Sequence, residues 1–452
     1  MGVPIERLAG FVAQTNWVDI PDAVREHAKL VLLDTFGVML AGTRRPEVAA
    51  LISGLGNEAQ GGATVYSSGW RTFDPRTAAL LNGIAGRAIE LCEGLRLVSG
   101  QAAIQVLPGI LALAEARGAS GRDLLTAFVT AYEAAGKLCT AFTARPFAHQ
   151  NGQASLLAAA AGGARIAGLD AEGISRSMRV STTLLLTPSY TNVVAGATAL
   201  NVAGGMSGFV GALAPELVRA GFTAQEDAVE EALGRMVGTG FDPAPMLGSF
   251  GEPWEITRNY FRLYACCNPI HPALDAMHEV LRQLKPRPAD VERIDIATYR
   301  FASVMNNPQP PNFFASKYSL PHACAVLIVR GKLGHADLDD SALTDPLIAA
   351  LRSKVSIAED PAMSAVAPKL RPARVTLTLR DGRTATAAVD SHRGDFNAPF
   401  GRDELLEKFR GLAGHVLTPE GVQRAEKMWL GLDGIDDVGA AVRSLAAHVI
   451  GD

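Results

Sequence analysis

Glu90 and Glu93 stand three residues apart in the segment Arg87-Ala-Ile-Glu90-Leu-Cys92-Glu93. On a helix that spacing places two carboxylates on one face. Such a pair suits general acid and base work. It equally suits an exposed polar face, and Arg87, three residues before Glu90, offers a plain ion pair. His149 sits in Phe147-Ala148-His149-Gln150-Asn151-Gly152, just before an alanine-rich run. Imidazole titrates near working pH, so His149 is a candidate base or acid; a lone histidine at a helix entry also serves as a cap or packing group. Arg262 cannot act as a base, but its fork can grip a carboxylate. Cys266, Cys267 and His271 follow it. A thiol is a fair nucleophile only when its pKa is lowered, and buried, inert cysteines are the plainer reading. His271 opens a helix before Pro272 and reads equally as a packed residue. No histidine, glutamate or cysteine spacing typical of a metal site occurs.

Composition bounds the chemistry. The 452 residues carry a formal net charge of −4, with 48% hydrophobic and 19% charged residues. The low charged share argues against disorder. With no basic excess and no polybasic stretch, nucleic acid and membrane surfaces are not expected partners. The five cysteines, Cys92, Cys139, Cys266, Cys267 and Cys324, form no disulfide framework, which fits reduced thiols in the cytoplasm. Met1 to Leu8 lacks the apolar core of a signal peptide. The most apolar run, Ala154 to Leu169, is broken by Arg165 and is too short to span a membrane.

These residues must be held by a mainly helical frame. Forty-five glycines and abundant alanine imply closely packed helices. Val24, Ala28, Val31, Thr35 and Val38 recur at helical spacing after Pro21-Asp22, and from Leu30 every side is apolar, so this helix is expected to be central. Further helices are expected at 77–93, 102–116, 121–142, 154–167, 170–177 and 207–220. After Trp254 the pattern changes. Ile294, Ile296 and Thr298 alternate with Asp295, Ala297 and Tyr299 as a half-buried strand. Val375, Leu377 and Leu379 lead to Asp381-Gly382 and an alternating return over Thr384 to Val389, a strong hairpin signal. Helices lie between these strands at 271–283, 320–331 and 345–353. The end returns to helix at 402–409, at 418 onward with Thr418 as cap and Pro419 first, and at 436–450. The expected architecture is a large helical domain (residues 1–256 and 392–452) carrying an inserted, smaller α+β lid domain (257–391).

In this order and spacing the motifs resemble the MmgE/PrpD family, which includes 2-methylcitrate dehydratase, cis-aconitate decarboxylase and iminodisuccinate epimerase. They are Leu33-Asp-Thr-Phe-Gly-Val38 with Leu40-Ala-Gly42, Leu81-Asn-Gly83, Gly152 to Gly168, and Arg262-x-Tyr264-x-x-Cys267-x-x-x-His271-Pro272. Lys317-Tyr-Ser-Leu-Pro321 and Asp381-Gly-Arg383 with His392-Arg-Gly-Asp395 complete the set. The resemblance implies an active site between the helical domain and the lid, a homodimer, and no metal or organic cofactor.

It also implies roles. Glu90 and Glu93 take the place of the family's acids, and Cys92 stands where it carries a further one. Gln101 replaces a catalytic histidine and cannot exchange a proton near neutral pH. His149 matches the second active-site histidine, which favours the catalytic reading for it. Leu200 and Ala203 align with a lysine and a histidine. Arg262 keeps a basic position, Lys317 and Tyr318 belong to the lid motif, and His322 stands where an aromatic residue is usual. His149, Glu90, Glu93 and His322 are therefore the expected catalytic residues. Arg262, Gln101, Lys317, Cys92, Leu200, Tyr318 and His271 are the expected substrate contacts.

A pocket for a triacid needs several cations to offset desolvation. Loss of a lysine and two histidines points to a small, less anionic and more apolar substrate. The expected function is a cofactor-independent lyase or isomerase that moves a proton next to a carbonyl or carboxylate, in specialised biosynthesis. Two other readings stay open: a non-catalytic dimeric scaffold that kept the fold, and a dehydratase rebuilt from Glu90, Glu93 and His322.

Overall fold

A computed structural model describes residues 4–56, 61–95 and 100–451. Met1 to Val3 of the amino-terminal segment lie outside them. The helical part is built from α1 (Asp22–Gly42), α2 (Pro75–Ala88), α3 (Ala102–Arg117), α4 (Gly121–Ala141), α5 (Ala154–Ile166) and α6 (Asn201–Arg219). The lid contains α7 (His271–Leu284), β1 (Val291–Thr298), α8 (Leu320–Arg330), β2 (Val355–Glu359), β3 (Ala373–Leu379) and β4 (Thr384–Val389). The chain then returns as α9 (Arg402–Ala413) and α10 (Pro419–Leu430). No described helix is long and apolar enough to cross a membrane.

Hydrophobic burial joins the two ends of the chain. α1 is buried nearly all round over its second half and packs against α2, α9 and α10. Phe36 of α1 meets Trp429 of α10 at 5.1 Å between ring centroids, both fully buried. Asp34 and Lys408 form a buried ion pair across α1 and α9 at 2.5 Å. The second main core lies in the lid, where Ile294 and Ile296 of β1 and Val375 and Leu377 of β3 cluster with Leu274 and Met277 of α7. The sheet order is β4-β3-β1-β2, with β1 antiparallel to β3 and parallel to β2. The expected hairpin forms in the register Thr384↔Thr378, with Gly382 at φ +86° in its turn. The parallel edge strand β2 was not expected. Its apolar positions are only half-buried and too few to give an alternating signal.

Small residues let the central helices touch through their backbones. A Cβ on Gly163 of α5 would lie 1.8 Å from the carbonyl oxygen of Gly211 in α6. A Cβ on Gly204 of α6 would lie 2.6 Å from Cγ of Arg87 at the end of α2. The close approach of α2 and α6 thus makes room for an arginine stem.

One expectation fails in a consequential way. The helix expected over 77–93 ends at Ala88: Ile89 leaves helical geometry at φ −107°, and Glu90 takes φ +52°. A left-handed conformation costs a non-glycine residue about 1–2 kcal/mol. Glu90 and Glu93 therefore do not share a helix face.

Gly163→Ala is expected to lower stability by roughly 1–3 kcal/mol, because a backbone carbonyl cannot step aside. Gly10→Ala, in the open on the helix Pro4–Gln14, is expected to raise it by up to about 1 kcal/mol. Urea midpoints at unchanged slope measure both.

Candidate active site

The site begins where α2 breaks. Arg87, Glu90 and Arg262 are at most 2% exposed. Glu90 accepts from Nη1 of Arg262 at 2.6 Å and pairs with Nη2 of Arg87 at 2.9 Å. Nη1 of Arg262 also lies 3.1 Å from the Glu90 carbonyl, which holds the left-handed turn in place. Tyr318 donates to the other carboxylate oxygen at 3.2 Å. Arg262 reaches this point because strand Asn259–Tyr260 pairs with Gly94–Leu95. Burial alone would push the Glu90 carboxyl up, but the two guanidinium charges hold it at about 2. Glu90 is therefore ionised and committed to its arginines at any working pH.

Beside this triad is a narrow cavity of about 30 Å³, walled by Glu90, Arg262 and Tyr318. Gln101 and His149 complete its helical side, and Tyr190, Tyr260, Cys267 and Arg371 its other walls. His149 is carried by the loop before α5. Its backbone N–H donates to Pro188, and Nδ1 accepts from the Asn151 N–H at 3.2 Å. Gln105 of α3 anchors the same loop: its Oε1 accepts from the Gly152 N–H at 2.7 Å. With Nδ1 occupied as an acceptor, the neutral ring carries its proton on Nε2. Burial, then the nearby Arg87 charge, push His149 down to about 3. It is a neutral donor rather than a base. The Tyr190 ring packs on it at 4.5 Å.

Gln101 precedes α3 as its N-cap, and its Oε1 is buried without a hydrogen-bond partner, an acceptor open to a ligand. Arg371 donates to Oδ1 of Asn268, whose Nδ2 is 2.7 Å from Nε2 of His392. That relay fixes the guanidinium at the lid side of the cavity. Burial pushes the Cys267 thiol well up, so it is a poor nucleophile.

The structure thus brings Glu90, Arg262, Gln101, His149 and Tyr318 together. Cys92 sits behind the wall, its sulfur 3.3 Å from Nη1 of Arg87. The other expected residues lie elsewhere. Glu93 accepts from the Ala103 N–H at the start of α3 (2.8 Å) and from the Tyr132 hydroxyl (2.7 Å), so it caps a helix. Burial raises its carboxyl to about 7, against the pull of those hydrogen bonds. Lys317 donates to the Leu338 carbonyl at 2.6 Å and lies over Phe313, and burial lowers it to about 7. His322 is enclosed within α8, its ring nitrogens without partners, and burial brings it to about 3. His271 lies 3.1 Å from the Cys266 carbonyl through Nε2 and packs edge-on against His392. Leu200 and Ala203 belong to the lid's hydrophobic core.

Arg371, Tyr190, Tyr260 and Asn268 escaped the sequence reading. They come from separate elements, the helix Tyr190–Val194, the strand Asn259–Tyr260, the turn of helix Asn268–Ile270 and the loop before β3, and no local spacing links them. Among the described residues no three histidine, cysteine or acidic side chains converge as metal ligands would.

Models of the MmgE/PrpD N-terminal domain and C-terminal domain match residues 6–243 and 264–433. The cis-aconitate decarboxylase-like protein oryM of Aspergillus oryzae is 24% identical over 94% of both chains. Cis-aconitate decarboxylase of Aspergillus terreus is 23% identical, covering 95% of this chain and 93% of the relative. The human cis-aconitate decarboxylase is 22% identical, covering 92% of this chain and 89% of its own.

Two measurements check the electrostatics. Glu90→Gln strands two buried guanidinium groups and is expected to cost about 3–5 kcal/mol in denaturant unfolding. Glu93 behaves differently. Its ordinary value is 4.5, and between there and about 7 the folded chain keeps a proton that the unfolded chain has lost. Its contribution to stability is therefore present at low pH and lost as pH rises through 7. Relative to wild type, Glu93→Gln is expected to gain stability between pH 5 and pH 8.5. Urea melts at the two pH values read the difference.

Proposed function

We propose that this chain, which belongs to the MmgE/PrpD family, is a lyase acting on a small acid, and that loss of CO₂ is the reaction its cavity favours. The observation that carries this reading is the pairing of fixed cations with a neutral histidine donor, in a wall where, among the described residues, no group is poised to take a proton near neutral pH. Glu90 is held at about 2 and His149 at about 3, while the wall tyrosines and Cys267 are raised. A proton abstraction needs a base matched to the working pH. A decarboxylation needs a sink for the electrons released from the breaking C–C bond and then a proton for carbon. Arg262 and Arg371 orient the substrate's carboxylate and carbonyl oxygens. Nε2–H of His149 meets the oxygen on which charge develops, the part played by an oxyanion-hole donor. Tyr260, whose oxygen accepts from Arg262 at 3.2 Å, supplies the proton. That contact favours its ionised form, and solvent returns the proton after release. The similarity to cis-aconitate decarboxylases supports a decarboxylase.

Glu90 cancels one guanidinium charge at the wall, which supports a substrate with fewer carboxylates than a triacid. Elimination and epimerisation by the same residues are the second reading. They require the substrate's charge to lift His149 back toward its ordinary value.

The test is a panel of mono-, di- and tricarboxylates incubated with the protein in D₂O, followed by proton NMR for CO₂ loss and solvent deuterium at carbon. Wild type is expected to turn over an acid with one or two carboxylates. His149→Ala is expected to lower kcat by about 10²–10³-fold, and Arg371→Ala to act mainly on KM. Activity is expected to show no imidazole transition between pH 5 and 8, because His149 stays neutral there. Absence of turnover across the panel would point to a scaffold, and a pH profile with a limb near 6.5 to a histidine base.

A further inference from the structure

A second chamber adjoins the proposed reaction cavity. That outer chamber has a volume of about 350 Å³, against about 30 Å³ for the inner one. Tyr190, Phe301 and Arg371 line both. A chamber of that size is in the range of small-molecule sites. The inner space holds little more than a carboxylate group or a water or two.

The junction is aromatic. Phe301 stands edge-on to Tyr190 at 5.4 Å, and Tyr190 packs on His149 at 4.5 Å, so three rings run from the reaction cavity to the surface. Phe301 is 42% exposed, so its ring is reachable from solvent at the mouth of the chamber. It follows β1 on the short helix Arg300–Ser303. The outer wall also includes Ala367 and Pro368 from the loop before β3, Ala148 beside His149, Tyr299, and the polar Gln150 and Ser364. Its charged members, Arg300 and Arg371, are both cationic.

We infer that the substrate is an acid with a flat, apolar tail: its carboxylate lies in the inner cavity against Arg371, and its tail lies in the outer chamber against the Phe301 and Tyr190 rings. This rests on the reading of the inner cavity as the reaction site. The two chambers divide the work by chemistry. Cations and a neutral donor surround the reacting end, while rings and proline offer an apolar slot with no carboxylate to repel the approach. Binding energy gathered away from the reacting atoms can serve the chemical step.

Calorimetric titration of the full chain with propanoate and 3-phenylpropanoate tests the inference. The aryl acid is expected to bind at least about tenfold more tightly, the yield of burying one ring. Phe301→Ala is expected to cut that preference to about threefold or less. Arg371→Ala is expected to weaken both acids. Equal binding of the two acids, or a preference that survives Phe301→Ala, overturns the tail and leaves the lyase reading standing. If neither acid binds the wild-type protein, both readings fall.

Discussion

One buried carboxylate shared by two buried guanidinium groups organises this molecule. Glu90 sits where α2 breaks, and its contacts with Arg87 and Arg262 tie that break to the segment that leads into the lid. A buried charge must be paired, and removing one partner of such a set is far more damaging than its net worth implies. The left-handed backbone at Glu90, the short strand pair that delivers Arg262, and the glycine of α6 that makes room for the Arg87 stem all serve the same contact. Tyr318 extends it into the lid.

The same triad sets the chemistry beside it. Burial first, and then the Arg87 charge, keep the neighbouring imidazole neutral against the opposing pull of Glu90. The Asn151 N–H fixes which nitrogen bears its proton. A histidine that looks like a base from its ordinary pKa becomes a hydrogen-bond donor by environment. The acid at Glu90 is likewise diverted, from proton transfer to holding cations in place.

Apolar replacements do not all speak about the substrate. Leu200 and Ala203, at positions that resemble a lysine and a histidine, are absorbed into the lid core with Cys267 and Phe314. Their effect is to weld α6 to the lid. The apolar lining of the outer chamber comes instead from Tyr190 and Phe301, on two short helices, and from Pro368, on the loop before β3.

Periodicity and turn chemistry sufficed for the frame: the buried stripe of α1, the Asp381-Gly382 hairpin and the Thr418-Pro419 cap are local signals, and each forms as read. His149, Arg262, Gln101, Tyr318 and Glu90, which the structure places around one cavity, were legible as candidates because each sits in a short motif. The end of α2 was not legible. Nothing local marks Ala88, and the break is held by Arg262, 172 positions away from Glu90. The roles of Glu93, Lys317 and His322 were decided in the same way, by a helix start, a carbonyl and an enclosing core. Sequence alone determined which groups this protein has and which helices and strands carry them. Only the tertiary structure decided which groups face one another in low dielectric, and so which are charged, which are neutral, and which touch a ligand.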